Sequence, residues 1–283
     1  MDGPFKAVGQ GGRFEFGKNW SRFLKVLDEG RIFEAEKSLK QMLELGNLDG
    51  KSFLDIGSGS GLFSLAARRL GAKVHSFDYD PQCVACTDEL KRRYFPNDTN
   101  WRIEKGDVLD QNFLSSLGQF DIVYAWGVLH HTGAMWQVME NIIPLVHEKG
   151  KLFISIYNDQ GIVSRFWAEI KKFYNRSPTF IQWIILLGVG IILQSFAAVI
   201  RLMRGQNPLP FKEWANKKKS RGMSVWYDLV DWVGGYPFEV AKPEVIFDFY
   251  FRKGFHLIKL KTCGGGLACN EFVFVRKPNC NKT

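Results

Sequence analysis

Two adjacent histidines, His130 and His131, stand in Gly-Val-Leu-His-His-Thr-Gly133, and three acids, Asp55, Asp78 and Asp107, each stand at or near the end of a short apolar run. An imidazole titrates near neutrality and suits the removal of a proton from a hydroxyl, phenol or thiol. A carboxylate at the end of a buried run suits the hydroxyl and amino donors of a bound ligand. The first acid leads into Gly57-Ser58-Gly59-Ser60-Gly61. Glycine admits positive φ and lets a ligand approach the main chain, while the first N–H groups of a following helix favour polar or anionic groups. Together these residues predict a nucleotide-like ligand at the glycine turn with a base nearby. The alternative for the histidines is that one caps or packs while the other faces solvent. No metal is expected, because Cys83-x-x-Cys86 and the pair Asp228 and Asp231 lack further ligands in a metal-binding pattern.

The elements that must position these groups alternate. Runs at 52–57, 73–78, 101–107, 120–126 and 151–157 read as buried strands, and the intervals 60–70, 81–94, 110–117 and 134–146 read as helices. Such alternation requires a parallel sheet with helices on both faces and ligands at the carboxyl ends of its strands. Asp55, Asp78, Asp107 and Trp126 all fall at such ends. Ahead of the first strand, Ile32, Ala35, Leu39, Met42 and Leu43 share one helical face, and Gly46 supplies a stop. An aromatic stretch with Phe16, Asn19 and Trp20 precedes that helix. It either closes over the ligand or packs on the sheet.

The order of acid, G-x-G-x-G turn, strand-two Asp78 and Gly106-Asp107-Val108 resembles the class I S-adenosylmethionine (SAM) methyltransferases, in the branch of the ubiquinone and menaquinone biosynthesis enzymes. The resemblance implies a Rossmann-like seven-stranded α/β sheet whose last strand is antiparallel and inserted between strands five and six. It implies SAM as cofactor, held by Asp55, Gly57, Ser58, Gly59, Gly61, Asp78, Tyr79, Asp107, Val108 and Trp126, with His130 or His131 as the acceptor's base. The branch implies a small, apolar or amphipathic acceptor methylated on oxygen, sulfur or nitrogen. Trp20, Trp226, Tyr227, Asp228, Trp232 and Tyr236 are its candidate contacts.

Four parts follow: an N-terminal segment (1–50), a SAM-binding core (51–158), a helical insertion (159–241) and a C-terminal return to the sheet (242–283). The 283-residue chain carries a net charge of +9, and the eleven Lys or Arg and two Glu from Arg165 to Arg221 account for all of it. That insertion also holds an uncharged run from Ser177 to Ile200. By length it could cross a bilayer, but strands six and seven must rejoin the sheet, so an odd number of crossings is excluded. The run is expected to lie in an interface, or to bend as a hairpin near Gly188-Val-Gly190; a homo-oligomer face and a buried lid are its alternatives. Five cysteines and no secretion signal fit a reducing, cytoplasmic setting, on the inner face of a membrane if the run meets lipid. Strand four leads into Ala-Trp-Gly-Val rather than an Asn-Pro-Pro-Tyr sequence, which argues against a nucleic-acid acceptor. An RNA (tRNA) methyltransferase using the basic insertion and a non-catalytic SAM-binding protein remain the rival readings.

Overall fold

The computed structural model describes residues 17, 20, 23–209 and 225–278, the side chains at 225, 227 and 228 excepted. The chain divides into two compact units, one comprising Phe16–Ser164 with Phe238–Thr283, the other built on Arg165–Pro237.

The larger unit begins with α1 (Glu29–Leu43), whose N-cap Asp28 accepts the Arg31 N–H at 2.9 Å. Its buried residues are the five predicted to share a face. The helix stops earlier than Gly46, because Glu44 takes the left-handed conformation (φ 53°) and ion-pairs with Lys259 at 2.8 Å. Next come β1 (Ser52–Ile56), α2 (Leu62–Arg69), β2 (Lys73–Asp78), α3 (Pro81–Tyr94), β3 (Trp101–Lys105), α4 (Gln111–Leu117) and β4 (Phe120–Trp126). After a short 3-10 turn at Leu129–His131 the chain forms α5 (Met135–Asn141) and β5 (Val146–Tyr157). The helix expected to reach residue 146 ends at Asn141, since Pro144 cannot donate to its carbonyls. The strand therefore starts at Val146, five residues before the expected boundary.

The sheet order is β3-β2-β1-β4-β5-β7-β6, where β6 is Phe255–Lys261 and β7 is Cys269–Arg276. All pairings from β3 to β5 are parallel, and β7 runs antiparallel between β5 and β6, with Ile154 opposite Phe272. The expected architecture is borne out, including the helical insertion between strands five and six. Alternation along β1 splits the core: Phe53 joins a cluster with α1, α2 and α3, while Leu54 and Ile56 join one that includes Ile246 and Tyr250 of α9 (Pro243–Arg252).

The smaller unit contains most of α6 (Ile162–Arg176), then α7 (Thr179–Met203) and α8 (Val225–Gly234). α7 is one continuous helix of 25 residues, so of the two expected forms the hairpin bent near Gly188 does not occur. Two glycines cost a helix roughly 1 kcal/mol each, too little to break one that has no internal proline. Leu229 of α8 lies beside Gly190, where a Cβ would sit 3.1 Å from it.

Candidate active site

The glycine turn after β1 is hung from β2: the Gly57 N–H donates to the Phe77 carbonyl at 2.8 Å and the Ser58 N–H to the same oxygen at 3.2 Å. Gly57, Gly59 and Gly61 have φ of 71°, 56° and 79°, the left-handed region where a side chain is strained. Their missing side chains leave hollows that other parts of the chain fill. A Cβ on Gly57 would lie 2.5 Å from Val128, one on Gly59 3.2 Å from the Trp20 indole nitrogen, and one on Gly61 2.8 Å from the Thr87 backbone. The glycines thus serve close packing as well as ligand approach. Trp20, expected at the acceptor, rests against the turn, while Phe16 and Asn19 lie outside the described residues.

Asp78 closes the turn from the β2 side. One carboxylate oxygen accepts the Gly59 N–H and the other accepts the Asp80 N–H, both at 2.9 Å. Asp80 in turn accepts the Gly17 N–H at 2.9 Å and caps α3 through the Gln82 N–H at 2.8 Å. A carboxylate offers about four lone-pair sites, so Asp78 retains acceptor capacity toward a vicinal diol. Burial pushes its carboxyl up to about 6, against the two N–H donors.

Asp55 has a different position from the one its place near a strand end suggested. It is buried beneath α2, accepts the Ser64 hydroxyl, and through Ser64 joins Ser76 (2.7 Å) and the Trp101 indole N–H (3.0 Å). Burial pushes its carboxyl up to about 7. Its side chain is committed to fixing α2 against the sheet. Ser58 likewise turns inward, sharing a 2.9 Å hydrogen bond with Thr87, while its N–H and carbonyl are taken by the Phe77 carbonyl and the Gly61 N–H. Val108 is buried in the core, and Asp107 accepts the Leu109 N–H at 3.0 Å. Tyr79 and Trp126 are partly exposed at the ends of β2 and β4.

The histidines sit on the 3-10 turn that follows β4. Val128 fills the Gly57 hollow, which ties this turn to the glycine turn. His130 is buried, its ring 4.2 Å from that of Tyr157 and 4.5 Å from that of His131; His131 is half-buried. Tyr157 also packs on Phe238 at 5.0 Å. Glu239 holds the turn from both sides: its N–H donates to the His130 carbonyl at 3.0 Å and its carboxylate accepts the Met135 N–H at 3.0 and 3.1 Å. Burial raises the Glu239 carboxyl above its ordinary range, with the Met135 and Gly133 N–H groups opposing. Tyr157 and Glu239 were not among the expected site residues, and nothing local in the sequence marks a carboxylate 104 residues from its donor.

At the same end of the sheet, Asn158 accepts from the Asn270 side chain at 3.0 Å and donates to the Gly266 carbonyl at 3.2 Å. This secures the loop between β6 and β7 beside the carboxyl end of β5.

Of the remaining expected acceptor contacts, Trp226 stacks on Trp183 (5.2 Å, 23°), and Trp232 packs on Trp167 at 5.5 Å and beneath the Lys171 ammonium at 4.3 Å. These contacts lie within the smaller unit and give both rings a role in helix packing. Tyr236 is half-buried in the same unit, and the side chains of Tyr227 and Asp228 lie outside the described residues.

Residues 54–152 match the family model described as a methyltransferase domain. The core is a class I methyltransferase domain. The recognition made from the glycine turn and the strand-end acids is thereby borne out. Over 145 residues this chain is 41% identical to a ribosomal protein L11 methyltransferase of Prochlorococcus marinus, covering 48% of this chain and 43% of the relative. Over 111 residues it is 31% identical to a ubiquinone biosynthesis O-methyltransferase of Glaesserella parasuis, covering 39% and 47%. The chain thus spans less than half the length of these relatives. The magnesium protoporphyrin IX methyltransferase of Synechocystis PCC 6803, solved with bound SAH, has the same fold (TM-score 0.54, 14% identity, 92% of this chain and 95% of that one).

Proposed function

We propose that this chain transfers the methyl group of SAM to an oxygen nucleophile, or to sulfur or nitrogen, of a small apolar or amphipathic acceptor. The observation that carries the reading is the junction of the two turns: Asp78 and Gly59 on one side, Val128 and the histidines on the other, joined at Gly57. The residues fit the cofactor, because Asp78 keeps lone pairs for ribose hydroxyls and the partly exposed Tyr79 and Trp126 flank the same strand ends. When bound, SAM supplies a methyl carbon already activated by the sulfonium. The chain's own task is to align the acceptor, take its proton and exclude water. We assign the proton to His131, which is the less buried of the pair; His130 and Tyr157 pack against its ring, and Glu239 holds the turn that carries it through the His130 carbonyl.

Binding needs Asp78 ionised. Its folded pKa, near 6, is raised above the ordinary aspartate value of about 3.9. SAM affinity should therefore be full above pH 6 and fall as pH drops below it, by up to about tenfold per unit. Calorimetry between pH 5 and 7.5 checks this, and Asp78→Asn should flatten the profile; an unchanged affinity at pH 5 would remove Asp78 from the ribose site.

A protein acceptor is the second reading, prompted by the L11 methyltransferases among the relatives. Incubating the chain with SAM labelled in its methyl group and, in parallel, a lipid extract, simple phenols and thiols, ribosomal protein and tRNA separates the classes. Label is expected in the organic fraction; label in protein or RNA would replace the proposed acceptor.

A further inference from the structure

The smaller unit presents an apolar surface that its own packing leaves open. On α7 only Gln182 and Leu186 are buried. In its first half the exposed side chains Phe180, Trp183, Ile184 and Leu187 keep to one face, but from Ile191 onward large apolar residues are exposed all round the helix, with Ile191 and Phe196 each 67% exposed. α6 extends this surface: Phe166, Ile170 and Phe173 of α6, with the exposed Glu169 at their edge, face Ile185, Val189 and Ile192 of α7 across an open groove of about 440 Å³.

Monomeric soluble proteins rarely expose apolar area on this scale. The chain enters this unit after Ser164 and leaves it at Pro237, and both flanks belong to one sheet. A single crossing by α7 would separate strands that pair, and no other helix among the described residues is long and apolar enough to cross back. The helix must be covered while both its ends stay on the same side. Charge decides by what. Exposed Arg176 stands just before α7 and exposed Arg204 just after it, and no acid occurs from Ser177 to Leu209. Pairing α7 with a second copy, parallel or antiparallel, would set these cations against their counterparts with no acid on α7 itself to offset them. An anionic lipid surface offers the opposite charge at the ends and hydrocarbon between them.

We propose that α6 and α7 seat the protein on the surface of an anionic bilayer without spanning it, with α7 buried in the headgroup and acyl boundary and Arg176 and Arg204 among the phosphates. This goes beyond the methyl-transfer reading and does not depend on the acceptor. The test is flotation of the full chain with phosphatidylcholine vesicles, with and without phosphatidylglycerol. Binding is expected to rise about tenfold with the anionic lipid. The triple change Ile184→Ser, Leu187→Ser and Ile191→Ser should abolish it, and Arg176→Gln with Arg204→Gln should erase the preference for anionic lipid. Phe196→Ser with Ile200→Ser, in the half exposed all round, should also release the protein and cannot act through the fold. SAM affinity, measured on every variant, should not change, which keeps this outcome separate from that of the catalytic reading. A wild-type chain that stays in solution with all vesicles, binds equally after the Ser changes, or hides this face in a dimer that vesicles do not dissociate would overturn the proposal.

Discussion

Replacing His131 by Gln is expected to lower turnover by about 10²–10⁴-fold while leaving SAM affinity nearly unchanged. The amide keeps the size and hydrogen-bonding capacity of the ring but cannot take a proton at neutral pH. The effect should fall on kcat, because the base acts on the acceptor and does not touch the ribose. His130→Gln should act differently: its ring is buried between Tyr157 and His131, so the change should loosen the turn and lower thermal stability together with rate. If His131→Gln costs less than tenfold, the acceptor arrives deprotonated or another group takes its proton.

Asp78→Ala is expected to weaken SAM binding by about 1.5–3 kcal/mol, roughly 10- to 150-fold. Two losses combine. The ribose would lose a charged acceptor, and the Gly59 and Asp80 N–H groups would lose the carboxylate that holds them at 2.9 Å. Asp78→Asn separates these contributions, since an amide oxygen can still accept one N–H while no longer carrying charge. Calorimetry on folded protein, checked by thermal melting, gives the result; unchanged affinity in the Ala variant would place the ribose elsewhere.

The parts of the fold legible in the sequence are those set by local periodicity. The α1 face emerged residue by residue, because a helix buries the positions its repeat brings to one side. The strand ends followed from apolar runs, and the sheet order followed from the family resemblance. What escaped depends on distant partners. Glu239 acts on Met135 across 104 positions, and no spacing rule links them. Asp55 was open to a better reading: it shares strand parity with Phe53, which packs with the α2 cluster, so its side chain had to face that helix. Of the two forms open to the apolar run, a single helix or a hairpin bent near Gly188, the single helix is the one found, because twenty-five residues of helix absorb two glycines.

The indole of Trp20 stands where a side chain on Gly59 would have stood. Trp20, three residues after Gly17 and its hydrogen bond to Asp80, supplies a volume that the turn itself lacks. The turn at Gly59 is thereby packed in part by residues that precede α1 rather than by the sheet alone.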